Sequence, residues 1–368
     1  MSLPEVIRTT AQAHAEAVDR DARFPIEAIT ALKDARLLSA LLDGQSLTEV
    51  VALCGELGRC CAATGMVYAM HQSQVACLVR HGLGHTTWDA FADELREKQL
   101  LIASITSEVG VGGDIRTSLC AIDNGRITKK ATTLSYGAHA DAYFLTCRRQ
   151  PDAPENDQAL VLLRREEADL EQTGNWDTLG MRGTCSPGFT VSSPVAESAL
   201  FPVGFGEICS QTMAPASHLL WAGVWLGIAA DAVTRARAYV RSRAKNAPGA
   251  ASTGELRLAE AMSQLQLGRA NLAECLRSYE ALCAASDTRG LLSFEWAIRI
   301  NNLKTSTSEL IVSIIQQCLA ITGIQGYRND SPYSLGRHLR DALSAAVMIG
   351  NERLHAVSGS LLLMQKGI

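Results

Sequence analysis

The sequence predicts an α+β fold that is mostly α. An N-terminal helical domain covers residues 1–100, a small central β domain covers 101–213, and a C-terminal four-helix bundle covers 214–368. Three observations predict it. Apolar residues recur at helical spacing at both ends of the chain. Glycine, serine, threonine and short β-branched runs concentrate in the middle. The order helix, strand, helix lacks the βαβ alternation of a parallel sheet.

The first helix is predicted over Pro4–Asp19, where small residues share one face. Pro25 suits the first turn of a second helix, because a proline there forgoes an N–H that has no partner anyway. Ile26, Ile29, Leu32 and Leu37 follow it. Ser46 or Thr48 is placed to cap a third helix through Val50, Leu53 and Leu57. Met66–His81 and Trp88–Leu100 complete the helical start. The runs Leu101–Ser104, Ala142–Cys147, Ala159–Leu163 and Phe189–Val191 read as strands, punctuated by Asn124-Gly125, Pro151-Asp152 and Pro187-Gly188. Long helices are predicted over Ser217–Lys245, Thr253–Ser286, Leu292–Thr322 and Ser344–Lys366, with one sharp break at Gly323–Pro332.

Composition excludes several classes. Hydrophobic residues are 47% and charged residues 20%, a globular balance. A net charge of -4 offers no basic patch for nucleic acid. The apolar stretch Leu219–Ala232 is interrupted by Gly223, Gly227 and Asp231, so it predicts a buried helix and no membrane span. Met1–Arg8 lacks an apolar signal core, and a cytoplasmic protein is expected. Eleven cysteines are scattered without a CxxC pair and read as buried small hydrophobes. His81 and His85 are interrupted by glycines, so no metal pair is expected. No GxGxxG opens a helix after a strand, which argues against a Rossmann site.

Four stretches carry a resemblance to a known family. They are the segment from Asp19 to Ala40, the loop SITSEVGVGGD over Ser104–Asp114, the strand pairs Gly125–Arg148 and Leu179–Pro202, and Lys304–Asp341 with its Arg340-Asp341-Ala342 tripeptide. Together they resemble the acyl-CoA dehydrogenase superfamily, which includes the two-component flavin monooxygenases, over nearly the whole chain. The resemblance implies a flavin cleft. Thr106, Ser107 and Gly112 would face the ring from the glycine-rich loop, and Gly113 would face the substrate. Ser135 falls where the family meets the flavin N5 edge. Thr133 replaces a frequent Trp. Arg243, Gly323 and Asn351 complete the implied cofactor set. Arg182, Arg340 and Asp341 read as structural charges.

The family's dehydrogenation needs a carboxylate base in a dry pocket. In many members it lies seven residues beyond the Ala of the RDA tripeptide; here that residue is Ile349. Glu352 is the nearest carboxylate and one candidate base. If a helix starts near Asn351, Glu352 sits in its first turn as an N-terminal charge. Other members carry the base on the first long helix after the β domain, here Ser217, with His218 next to it as the second candidate. The adenylate side also departs: Arg243 remains of its segment Arg243–Gly249, and Ala320 and Ile324 replace a Gln and a Gly.

Three readings follow from the resemblance. One is an FAD-dependent dehydrogenase of an acyl thioester, passing electrons to an electron-transfer flavoprotein. Another is a monooxygenase using FMN delivered as FMNH2 by a partner reductase. The third is a degenerate, non-catalytic paralogue. A homotetramer, or at least a homodimer, is expected, because Ile311, Ile314, Ile315, Leu319 and Ile321 make one helix apolar on more than one face.

Overall fold

The computed structural model describes residues 2–244 and 253–365. Five helices come first: α1 (Glu5–Arg20), α2 (Ile26–Asp34), α3 (Leu47–Cys60), α4 (Ala62–His81) and α5 (Thr86–Lys98). Pro25 caps α2. Ser46 caps α3 in a full capping box: its hydroxyl accepts from the Glu49 N–H, while the Glu49 carboxylate accepts from the Ser46 N–H. The predicted Met66 start of the fourth helix moves back to Ala62, because Cys61 is extended and breaks the run from α3.

Six strands follow: β1 (Ile102–Ile105), β2 (Arg126–Ala131), β3 (Ala142–Arg148), β4 (Gln158–Arg164), β5 (Asp169–Gln172) and β6 (Phe189–Pro194). They form two three-stranded sheets, β1-β3-β4 and β2-β6-β5. β1 runs parallel to β3, and the other pairings are antiparallel. β3 and β4 are buried on both faces, which matches their unbroken apolar runs. β2 alternates exposed and buried. The sequence gives no signal for β5: Asp169-Leu170-Glu171-Gln172 is a polar edge strand, almost wholly exposed.

The helical remainder starts with α6 (Phe205–Ile208), a π-helical stretch at Cys209–Met213, and α7 (Ala214–Ala244). α8 (Thr253–Ala284), α9 (Thr288–Leu291), α10 (Phe294–Thr322), α11 (Ile324–Tyr327), α12 (Gly336–Val347) and α13 (Asn351–Met364) complete it. The continuous helix predicted over Ser344–Lys366 is in fact two. Ile349 adopts a left-handed φ of 56°, and the chain turns there between α12 and α13. Lys245 and Lys366, the predicted helix ends, lie outside the described residues. Among the described residues one helical stretch, Phe205–Arg243, is long and apolar enough to cross a membrane, and 94% of its 18-residue apolar window is buried inside the protein.

The long helices pack on one another, α10 against α7 and α8, with α12 and α13 alongside. Ile311, Ile314 and Ile315 are fully buried within this single chain and Ile321 nearly so. They therefore supply the bundle's own core, which corrects their reading as subunit-interface residues.

Candidate functional site

The glycine-rich loop is anchored by a buried ion pair. The Glu108 carboxylate accepts from Ser118 Oγ and from the Cys120 N–H, both at 2.7 Å, and lies 3.2 Å from Lys129 Nζ. Lys129 sits on the inward face of β2, fully buried, and donates to the Thr146 carbonyl at 2.7 Å. Burial pulls its ammonium below the ordinary lysine range. Removing one partner of such a pair strands a charge in the interior, which typically costs about 3–5 kcal/mol. Beyond this anchor, Gly110, Gly112 and Gly113 hold φ values of 98°, 59° and 78°, a backbone path that other residues resist.

The same loop lies against the chain that follows β2. Ser107 Oγ donates to the Thr133 carbonyl at 2.7 Å and accepts from the Thr133 N–H at 3.1 Å. The Val109 N–H donates to the Lys130 carbonyl at 2.9 Å. Ser135 Oγ accepts from Ser186 Oγ, which is paired with Thr184 Oγ; both distances are 2.9 Å. The main-chain N–H groups of Ser107 and Ser135 have no partner among the described residues. Both residues are half-buried, and Thr133 beside them is exposed. Two unspent donors on adjoining segments are what a flat heterocycle with carbonyl oxygens and ring nitrogens would need.

The helical wall is built at the α12–α13 elbow. Lys304 of α10 is fully buried and donates to the Ile349 carbonyl at 2.6 Å and to Asn351 Oδ1 at 2.7 Å. Burial pushes its ammonium down to about 8. Asn351 Nδ2 donates to Ser308 Oγ at 3.0 Å and to Glu309 Oε1 at 3.3 Å. Two residues on, Arg353 donates to the Gly112 carbonyl. A side chain at Gly113 would meet that guanidinium at 3.4 Å. Arg353 thus brings the glycine-rich loop to the start of α13.

Hydrogen bonds and chain adjacency thus bring the segments holding Thr106, Ser107, Gly112, Gly113, Thr133, Ser135 and Asn351 next to one another. Arg243, Gly323, His218 and Glu352, the remaining expected residues, have the following surroundings. Arg243 is exposed near the end of α7, and the rest of its segment lies outside the described residues. Gly323 ends α10 with φ 56° and opens onto an apolar notch with Leu319, Ala320 and Ile324. His218 is inside the bundle, 2% exposed, its Nδ1 donating to the Ile300 carbonyl at 3.3 Å. Burial holds its imidazole near 4, so it is neutral. Glu352 is exposed in the first turn of α13 and forms no hydrogen bond or ion pair among the described residues, the state of a helix-terminal charge.

Sequence reasoning overlooked Lys304 and Arg353. A lysine inside the apolar run of α10 was the available signal for the first. For the second there was none, since the contact spans the whole fold. Arg182, Arg340 and Asp341 are structural, as the resemblance implied. Arg340 pairs with Asp19 and donates to the Leu179 carbonyl, and Arg182 Nε donates to the Asp19 carbonyl. Asp341 accepts from the Met181 N–H at 2.7 Å. A methyl on Gly180 would lie 2.1 Å from the Arg340 carbonyl, so only glycine permits this docking.

Residues 211–357 match the family model for the acyl-CoA dehydrogenase C-terminal domain. No curated protein matches the chain by sequence. Solved structures match across nearly the full length. KijD3 with FMN and a dTDP-linked amino-keto sugar is 20% identical, with TM-score 0.82, covering 99% of this chain and 92% of its own. Dibenzothiophene monooxygenase TdsC from Paenibacillus sp. A11-2 is 18% identical, with TM-score 0.79, covering 99% and 97%. Butyryl-CoA dehydrogenase from Megasphaera elsdenii is 18% identical, with TM-score 0.77, covering 99% of each. At these identities the likeness is one of fold. With the family match over residues 211–357, it gives the chain an acyl-CoA dehydrogenase-like fold.

Proposed function

We propose that this chain binds a flavin in the cleft described above and is a monooxygenase working with FMN delivered in reduced form by a partner reductase. One observation carries the choice over acyl-thioester dehydrogenation: neither position expected to hold the carboxylate base holds one. Ile349 is apolar, and its carbonyl is occupied by Lys304. Ser217 carries a hydroxyl, and its neighbour His218 is buried and neutral. An α-proton next to a thioester carbonyl is too weakly acidic to leave without a positioned base.

The cleft residues fit a flavin. The free N–H groups of Ser107 and Ser135 would hold the ring's carbonyl and N5 edges, and Thr106 adds a hydroxyl. Gly112 and Gly113 let the backbone approach closely, and Asn351 and Arg353 close the helical side. The bound flavin supplies two electrons and a centre that reacts with oxygen. The protein's part is to orient the ring and to exclude water behind Arg353. The adenylate corner supports FMN over FAD. The notch at Gly323 is apolar, and Arg243 stands without the rest of its expected segment. KijD3 and TdsC, both known with FMN bound, agree with this choice.

The competing reading rests on Glu352, one residue before Arg353 at the cleft rim. Anaerobic mixing of the FAD-loaded chain with butyryl-CoA separates the two. The proposal expects no bleaching of the flavin, and the same null result for Glu352→Gln. Rapid bleaching that Glu352→Gln abolishes would establish the dehydrogenase instead.

A further inference from the structure

Ser135 is gripped by residues 184–187, a segment with no flavin contact of its own. The N–H groups on either side of it are tied to that segment. Leu134 donates to the Pro187 carbonyl at 2.9 Å, and Tyr136 donates to the Thr184 carbonyl at 2.8 Å and the Cys185 carbonyl at 3.1 Å. The Ser135 N–H between them has no partner among the described residues. The Ser135 hydroxyl is engaged by the same segment. Ser186 Oγ donates to Ser135 Oγ at 2.9 Å and lies 2.9 Å from Thr184 Oγ1.

Counting protons gives this hydroxyl row a direction. Each hydroxyl has one proton to give. Ser186 and Thr184 are 3% and 4% exposed, so their protons must find partners inside the protein. The Ser186 proton has an alternative acceptor in the Thr184 carbonyl, but that oxygen is farther, at 3.2 Å, and already takes the Tyr136 N–H. Ser135 Oγ therefore accepts, and its own proton has no acceptor among the described residues. At the other end Thr184 Oγ1 reaches the Met181 carbonyl at 2.9 Å, which also accepts from the Thr184 N–H and Trp176 Nε1. A carbonyl has no proton to pass on, so the row orients a hydroxyl and does not conduct. The backbone is strained to keep it. Nine non-glycine residues among those described take a left-handed φ, and three of them, Tyr136, Met181 and Cys185, bracket this row at 43°, 51° and 43°. Such strain persists only where the surroundings enforce it, and it collects at functional sites.

We infer that Ser186 and Thr184 are positioning residues that make Ser135 a double donor, N–H and O–H together, toward the acceptor edge of the bound ring. This rests on the flavin reading. The ring's carbonyl oxygen beside N5 gains electron density when the ring is reduced. Hydrogen bonds to a more negative acceptor are stronger. A fixed O–H there biases the site toward reduced flavin, the form a partner reductase would deliver.

Anaerobic titrations of the full chain with oxidised and with reduced FMN test this, read as the ratio of the two Kd values. The wild type should prefer the reduced form. Ser186→Ala leaves the Ser135 hydroxyl free to rotate and should lower that preference about fivefold. Thr184→Val removes the other buried hydroxyl, should shift the ratio in the same direction, and serves if Ser186→Ala fails to fold. A merely structural role would weaken both forms equally. An unchanged ratio in both variants, or a wild type that prefers oxidised FMN, would overturn the inference and leave flavin binding standing. A chain that binds neither form would sink the flavin reading and this inference with it.

Discussion

Asp341 shows how one side chain can be read from sequence for its place but not for its state. The RDA tripeptide marked it as structural. Only the fold shows that it is buried and accepts from the Met181 N–H, and that this burial raises its carboxyl from 3.8 to about 6. Because the folded value is the higher one, the native state keeps a proton that the unfolded chain releases between about pH 4 and 6. That contribution is complete below pH 4 and lost as pH rises through 6. Asp341→Asn retains the acceptor and removes the titration. Relative to wild type, the variant should gain on the order of 2 kcal/mol between pH 4 and 7, read from paired thermal melts. A difference that stays constant over that range would refute the assignment. Ser107, Thr133 and Ser135, the proposed flavin contacts, belong to the glycine-rich loop and the segment after β2, two short stretches whose juxtaposition only the fold reveals. Lys304 and Arg353 act through contacts between distant parts of the chain, and no local pattern encodes those.

Among the elements, helices with a clear start signal and clear periodicity were legible from sequence, as the Ser46 capping box and the Pro25 start of α2 show. The break between α12 and α13 was not, because it depends on Lys304 holding the Ile349 carbonyl in a left-handed turn. β5 was missed since its residues face solvent. The apolar outward faces also moved. α8 exposes Leu256 and Leu267 at 60% and 66%, and α13 exposes Leu363 at 91%, whereas α10 turns its isoleucines inward. Leu256 and Leu267 are eleven residues apart, three helical turns, and share a stripe. Such faces are commonly covered by another subunit. We propose that α8 and α13 make the contacts of a homodimer or homotetramer. Light scattering should give a multiple of 39.4 kDa, and Leu267→Glu should lower it. A wild-type monomer would contradict this.

For the whole molecule, the order of helical, sheet and helical segments was enough to predict the architecture, because each segment's periodicity differs from its neighbour's. The chemistry was less legible. The expected carboxylate positions were countable along the chain, but whether another group had taken over the role required the packed site. Packing places His218 in the bundle core and Glu352 in solvent, and it sets Arg353 against Gly112. On the function proposed above, the site between the glycine-rich loop and α13 holds a flavin mononucleotide in its reduced state. Anaerobic fluorescence titration of the purified chain with reduced FMN, oxidised FMN and FAD tests it most directly. Reduced FMN should bind stoichiometrically, with FAD binding no more tightly. A protein that leaves all three flavins free in solution would contradict it.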